Sequence, residues 1–319
     1  MKTKQRAAIV CASGFGDALL MQIAAAHLKR RSFQTVTFSP HLKSLARWFP
    51  GFEFESGPID SASLKEFDTI ILEHDNSARA KQIRMLPQTR SFFPSYVSSK
   101  HGPLRPRDVL FDRNKTMAEN IAKAMGRLYP GDLSYDNGIC PPDRSTFRCF
   151  SKRVAIHPVS SSPDKNWRKE GFLRLAEVLA RRGWEPMFIT PPEEAHSWGA
   201  PLIPDLDALT TILYQCGYFI GNDSGPGHLA SNLGIPTLTI GPNKQHLALW
   251  RPGWSLGRTV APPSLFTNFK LTRTFWQFFI SVDDMVQEFI LISKKDLLNQ
   301  LKLEKGESHE RFTPPSPAA

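Results

Sequence analysis

The sequence predicts an α/β protein made of two Rossmann-like domains that face a cleft. Three observations carry this. Short apolar, β-rich runs alternate with stretches of helical periodicity in both halves, the pattern of parallel sheets with crossover helices. The alternation breaks around Tyr129-Pro-Gly-Asp132 and Cys140-Pro-Pro-Asp143 and then restarts. Glycine-containing turns follow an early strand of the first half and a late strand of the second, where open α/β sheets bind ligands.

In order, residues 7–12 read as a strand and Ser13-Gly-Phe-Gly-Asp17 as a turn. Residues 18–31 read as a helix with Leu19, Ile23 and Leu28 on one side. Its cationic end, Lys29-Arg30-Arg31, suits the negative pole of a helix. A strand at 35–38, a helix at 41–49 and a strand at 69–72 follow. Residues 92–113 are irregular and basic, and 115–128 are helical. After a boundary near 143–152, strands at 153–157, 186–190, 218–220 and 237–240 alternate with helices at 171–182, 206–214 and 225–233. Gly183 and Gly234 stand just past two of those helices, where glycine is favoured. A last helix at 282–301 precedes a polar tail. The domains are thus 1–150 and 151–303, with 304–319 as a disordered tail.

The chain has 319 residues, 41% hydrophobic and 22% charged, which suits a globular protein of two domains. No apolar run is long enough to span a bilayer. The basic start, Met1-Lys-Thr-Lys-Gln-Arg6, leads into a strand rather than a signal-peptide core, so a cytoplasmic location is expected. Cys11, Cys140, Cys149 and Cys216 match neither a zinc pattern nor a CxxC pair, and no metal is expected. The net charge of +10 favours anionic partners. Nucleic acid is not among them, since no recognition motif or aromatic–basic sheet pattern is present.

Four places carry chemistry. In Gly221-Asn-Asp-Ser-Gly-Pro-Gly-His-Leu229, Ser224 is placed to cap the next helix. Gly225 and Gly227 let a ligand approach the backbone. The helix N-terminus favours a phosphate, and His228 in its first turn is placed to donate to it. In Ile156-His-Pro-Val-Ser-Ser-Ser-Pro-Asp-Lys-Asn-Trp167, Lys165 is a point charge suited to a diphosphate, with Trp167 packed beneath the loop. The turn at Asp17 lacks the third glycine of a dinucleotide fingerprint, where Leu19 stands, and there is no GK[ST] for a P-loop. Asp17 is left as a carboxylate facing the cleft, a general base. Glu193 and Glu194 follow a strand at the same edge as candidates for ribose hydroxyls. His74 and Asp75, at the end of strand 69–72, are weaker candidates for the acceptor side.

Together these loops resemble glycosyltransferase family 9, the lipopolysaccharide heptosyltransferase family. The resemblance rests on Gly16-Asp17, on Lys165-Asn166-Trp167 with Phe172 and Leu175-Ala176, and on Asn222-Asp-Ser-Gly-Pro-Gly-His-Leu-Ala230 followed by Gly234-Ile-Pro236 and Gly241-Pro242. It implies the glycosyltransferase B fold, with the acceptor in the N-terminal domain and a nucleotide sugar, typically ADP-heptose, in the C-terminal one. It implies inverting transfer, without a cofactor, to a bacterial glycolipid at the inner membrane surface, with peripheral association there. Asp17 aligns with the base, and Lys165, Asp223, Ser224, Gly225 and His228 with donor-binding positions. The chain departs from the pattern at Gly14 and Phe15, at Ala18-Leu-Leu-Met21, at Pro226-Gly227 and around Thr190-Pro-Pro192. These departures motivate an alternative, a catalytically degenerate homologue that binds a nucleotide sugar or acts as a scaffold.

Overall fold

The computed structural model describes residues 4–57, 59–93, 102–263 and 275–304. Apart from Glu304, the tail expected at 304–319 lies outside them. The chain divides into two compact units, with the break between Pro142 and Asp143, and each unit is built on its own parallel sheet.

The first unit runs β1 (Arg6–Val10), α1 (Phe15–Lys29), β2 (Gln34–Phe38), β3 (Glu53–Glu55), β4 (Thr69–Glu73), α2 (Ala78–Arg84), β5 (Thr89–Phe93), β6 (Asp108–Leu110) and α3 (Met117–Leu128). Its sheet has the order β3-β2-β1-β4-β5-β6, all parallel. The order grows outward from β1 in both directions, so the crossover reverses between β1 and β4. Ala7 to Val10 and Ile70 to Leu72 are buried, as expected of strands covered on both faces.

Two elements differ from expectation. The first helix is buried on every side from Ala18 to Leu28 and is not amphipathic, because α1 packs against both the sheet and α3. Its polar side chains find internal partners: Gln22 Nε2 donates to Thr37 Oγ1 at 2.6 Å and His27 Nε2 to Tyr129 O at 2.8 Å. The helix expected at 41–49 is a 3-10 helix, Leu42–Trp48. Its buried residues, Leu42, Leu45 and Trp48, recur every third position, the period of that helix.

The second unit runs β7 (Phe150–His157), α4 (Lys169–Arg181), β8 (Glu185–Phe188), α5 (Ala195–Trp198), α6 (Leu206–Gln215), β9 (Cys216–Asn222), α7 (Gly225–Asn232), β10 (Thr237–Ile240), α8 (Lys244–Trp250), β11 (Gly257–Val260) and α9 (Val282–Glu304). The sheet order is β11-β10-β9-β7-β8, again parallel, and the crossover reverses between β9 and β7. Trp167, Phe172 and Leu175 join Ile156 and Ile220 of the sheet and Met285 and Phe289 of α9 in one core. Gly183 and Gly234 close α4 and α7 as expected, with φ of 83° and 85°. After each, the chain turns back to bond the helix: Trp184 N donates to Leu179 O at 3.1 Å and Ile235 N to Ala230 O at 2.9 Å.

A buried ion pair ties α9 into this unit. Arg148 donates from its two terminal guanidinium nitrogens to Asp296, at 3.1 and 2.6 Å, and Tyr218 OH donates to the same carboxylate at 2.9 Å. Between β7 and β9 the backbones come so close at Gly217 that a Cβ there would collide with the Ser151 carbonyl oxygen. Among the described residues, no helix is long and apolar enough to cross a membrane.

Candidate functional site

In each unit the chemistry-bearing loops leave the two adjacent strands at which the crossover reverses, the position where open α/β sheets form a ligand crevice. In the first unit these strands are β1 and β4. Asp17 sits half-buried in the first turn of α1, where the helix dipole favours its charge. Its carboxylate folds back over Gly14, and a Cβ on Gly14 would strike Asp17 Oδ2. The unexpected glycine in this loop is thus the room the carboxylate occupies. The loop is pinned by His41, whose Nε2 donates to Ser13 O at 2.9 Å and whose ring meets Phe15 edge-on at 5.9 Å.

Sequence reasoning missed Glu73, the last residue of β4. It is buried, and its Oε2 accepts the Ala12 N–H at 2.9 Å. Burial pushes its carboxyl well above the ordinary value, and the Asp17 charge pushes it the same way, against the pull of the Ala12 hydrogen bond. Two acids of unequal environment therefore share this corner. Burial and the charges of Glu73 and Asp17 also push the Cys11 thiol up, so it is no nucleophile. A carboxyl group ending a strand reads as solvated in a sequence; only the neighbouring N–H reveals its use. His74 is buried and stacked on Phe93 at 4.8 Å. Asp75 accepts the Ser77 N–H at 3.0 Å and lies 3.9 Å from Arg79.

In the second unit the strands are β7 and β9. Asn222, at the end of β9, stitches their loops together. Its Oδ1 accepts the Trp167 N–H at 2.9 Å and its Nδ2 donates to Pro158 O at 2.7 Å. Trp167 is buried beneath the loop, as expected, and its indole N–H donates to Gln277 O at 3.1 Å. Ser160 adds a contact from its hydroxyl to Asn166 Oδ1 at 2.7 Å. This framework sets half-buried Lys165 close enough to lower the Asp223 pKa by its charge.

The structure refines the roles in the glycine-rich segment. Ser224 occupies the cap position of α7, but its hydroxyl donates backwards to Asn222 O at 3.1 Å and does not cap the helix. Gly227 is buried, and a Cβ there would lie 3.3 Å from the Phe219 ring; its missing side chain serves the packing of α7 on β9 rather than ligand approach. The Gly227 and His228 N–H groups are given to Ser224 O at 3.1 and 3.4 Å, and Pro226 has none. Gly225 is the residue of these four whose N–H can turn to an anion, together with the helix dipole.

His228 is buried, with its ring edge-on to Trp254 at 6.3 Å. Its Nδ1 has no hydrogen-bond partner. Burial pulls its pKa below the ordinary value, against the Asp223 charge. Burial pushes Asp223 up, but the hydrogen bond from His246 and the charges of His228, His246 and Lys165 outweigh it and leave Asp223 below the usual carboxylate range. His246 went unnoticed in the sequence; its Nε2 lies 2.9 Å from Asp223 Oδ2.

Glu193 and Glu194 end a short 3-10 helix, Pro192–Glu194. Glu194 is engaged, its Oε2 accepting the Trp198 indole N–H at 3.3 Å, whereas Glu193 is exposed. All four cysteines are free thiols. Among the described residues no group of three or more His, Cys, Asp or Glu can hold a metal ion.

Residues 128–248 match the family model described as glycosyltransferase family 9 (heptosyltransferase). No curated protein matches the chain. Among solved structures, a family 9 glycosyl transferase from Veillonella parvula has a TM-score of 0.65 at 16% identity, covering 94% of this chain and 99% of that one. The E. coli heptosyltransferase WaaC with ADP gives 0.65 at 13% identity, covering 90% and 99%. The E. coli ADP-heptose lps heptosyltransferase II gives 0.66 at 14%, covering 92% and 99%. At such identities the likeness establishes the fold, here glycosyltransferase B. The resemblance to glycosyltransferase family 9 is thus met in two ways: residues 128–248 match that family's model, and the chain has the heptosyltransferase-like fold.

Proposed function

We propose that the protein transfers a sugar from a nucleotide diphosphate donor, in the first instance a heptose from ADP-heptose, to a hydroxyl of a lipopolysaccharide-core or related glycolipid. The observation that carries this reading is the unpartnered Nδ1 of buried His228 in the first turn of α7. A buried polar atom without a partner is costly, and a diphosphate at this helix start would supply one. The similar WaaC structures hold ADP and ADP-2-deoxy-2-fluoro heptose, which supports an ADP-linked donor.

In this mechanism the acceptor oxygen attacks the anomeric carbon as the bond to the diphosphate breaks, inverting that centre. Asp17 takes the proton of the attacking hydroxyl. The diphosphate leaves with the bonding electrons, and Lys165, His228 and the α7 N-terminus stabilise its charge. No metal or cofactor is assigned a step, so turnover should persist in excess chelator. The setting is the cytoplasmic side of the inner membrane, with peripheral association through basic surface. The alternative, a degenerate homologue, loses one of its motives because Gly14 makes room for the Asp17 carboxylate.

The test is a thermal shift against a panel of nucleoside diphosphates and their sugars. A ligand present at 100 times its Kd stabilises the folded form by about 2.7 kcal/mol. ADP and ADP-heptose should raise the melting point; a panel that leaves it unmoved would reject the reading.

A further inference from the structure

His246 is held from three directions. Asn243 caps α8, its Oδ1 accepting the Gln245 and His246 N–H groups at 2.8 and 3.2 Å. Trp250, one turn on, stacks on the imidazole at 6.0 Å with 24° between planes. The third tie is the 2.9 Å contact of Nε2 with Asp223 Oδ2. An ionised carboxylate only accepts hydrogen bonds, so Nε2 carries the hydrogen. Asp223 is fixed from its own side as well, through its N–H to Ile240 O at 3.2 Å, and its side chain is 10% exposed.

The sign of the charge at Asp223 needs explaining. Lys165 and His228 suit a diphosphate, but a carboxylate beside them repels one. What an ionised carboxylate binds is a donor of hydrogen bonds, and the group attached to a nucleoside diphosphate that offers several is a sugar. With Oδ2 committed to His246, Oδ1 is the atom left for a hydroxyl. The imidazole sets the rotamer of Asp223 and so decides where Oδ1 points.

We infer that His246 is a positioning residue: by holding Asp223 Oδ2 it aims the other carboxylate oxygen at the hydroxyls of the sugar on a nucleotide donor, and so favours the glycosylated nucleotide over the bare one. The inference rests on the donor-binding reading above. It places the residue that aims Asp223 on α8, outside the glycine-rich segment that carries Asp223 and outside the lysine loop.

The experiment is calorimetric titration of the full chain with ADP and with ADP-heptose, for wild type, His246→Asn and His246→Gln. Glutamine places an amide N–H near the Nε2 position; asparagine keeps the polarity but stops short of Asp223. Wild type should bind ADP-heptose more tightly than ADP. His246→Asn should weaken ADP-heptose by about tenfold or more, the scale of one hydrogen bond to a charged group, while ADP changes little. His246→Gln should recover most of the loss, with unchanged melting temperatures marking all three proteins as folded. Equal loss for ADP and ADP-heptose would show a structural tie between α8 and β9 and overturn the inference. So would a wild type that binds the two ligands equally, or an asparagine variant that binds like wild type; each leaves the donor reading standing. A wild type that binds neither ligand overturns that reading and this inference with it.

Discussion

Glu73 accepts the backbone N–H of Ala12 at 2.9 Å, so a buried carboxyl at the end of β4 holds the loop that leads from β1 to Asp17. Its carboxyl is pushed well above the ordinary value, first by burial and then by Asp17. A folded-state pKa above the unfolded one means the folded protein holds the proton more tightly. Stability is then lost as pH rises above the unfolded value of about 4.3. Glu73→Gln removes this loss. Its melting temperature relative to wild type should improve as pH rises above that value and level off once Glu73 ionises in the folded protein as well. A relative melting temperature that worsens with rising pH would mean Glu73 is held as the ion.

The two halves of the proposed chemistry separate by substitution. Asp17→Asn keeps the size and the helix-start position but removes the base, so turnover should fall by about 10²–10⁴-fold with donor affinity nearly unchanged. Lys165→Ala and His228→Ala should instead weaken ADP binding, by about 1.5–3 kcal/mol where a charged hydrogen bond is lost. Titration calorimetry beside initial rates reads both. Loss of ADP binding in Asp17→Asn with Lys165→Ala unaffected would reverse the roles assigned to the units.

Asp296 answers to both Arg148 and Tyr218, with side-chain exposures of 13% and 10% for the arginine and aspartate. Burial and the Asp296 charge push the Tyr218 phenol up to about 12. Removing the carboxylate strands Arg148, and breaking a buried pair costs about 3–5 kcal/mol. Asp296→Ala should unfold at clearly lower denaturant, and Asp296→Asn less so. Equal midpoints for wild type and Asp296→Ala would show the pair to be solvated.

Gly217 tests the sheet itself. A Cβ there meets backbone, the Ser151 carbonyl oxygen and carbon, which has no rotamer to yield with. Gly217→Ala should destabilise by about 1–3 kcal/mol or more, as overpacking does. Chemical denaturation measures it, and an unchanged midpoint would mean β7 can slide away from β9 without cost.

Much of this was legible because parallel strands leave strong local marks. The apolar runs at 7–12, 69–72 and 218–220 became β1, β4 and β9, and Gly183 and Gly234 ended helices where their φ requires it. The strands overlooked were β3, β5, β6 and β11, two of them three residues long, too short for a period of two to register. In the site, the residues of the compact segment from Asn222 to His228 could be picked out, since each sits next to the other in sequence. Glu73 and His246 could not. Their meaning lies in Ala12 and Asp223, 61 and 23 residues away, and no local pattern encodes such a partner. The hydroxyl of Ser224 shows the reverse failure: its position was right, and its hydrogen bond pointed the other way.

The strands of the two sheets do not interleave in sequence. All six of the first lie between Arg6 and Leu110, and all five of the second between Phe150 and Val260. During synthesis, the N-terminal sheet therefore has every strand it needs, and α3 to close over α1, before β7 has left the ribosome. The first unit can bury its β1 and β4 as it emerges, without waiting for a strand from the far end of the chain, and domains made this way fold in order of their synthesis. A ribosome stalled far enough past Pro142 for α3 to have cleared the exit tunnel should accordingly display a protease-resistant N-terminal body.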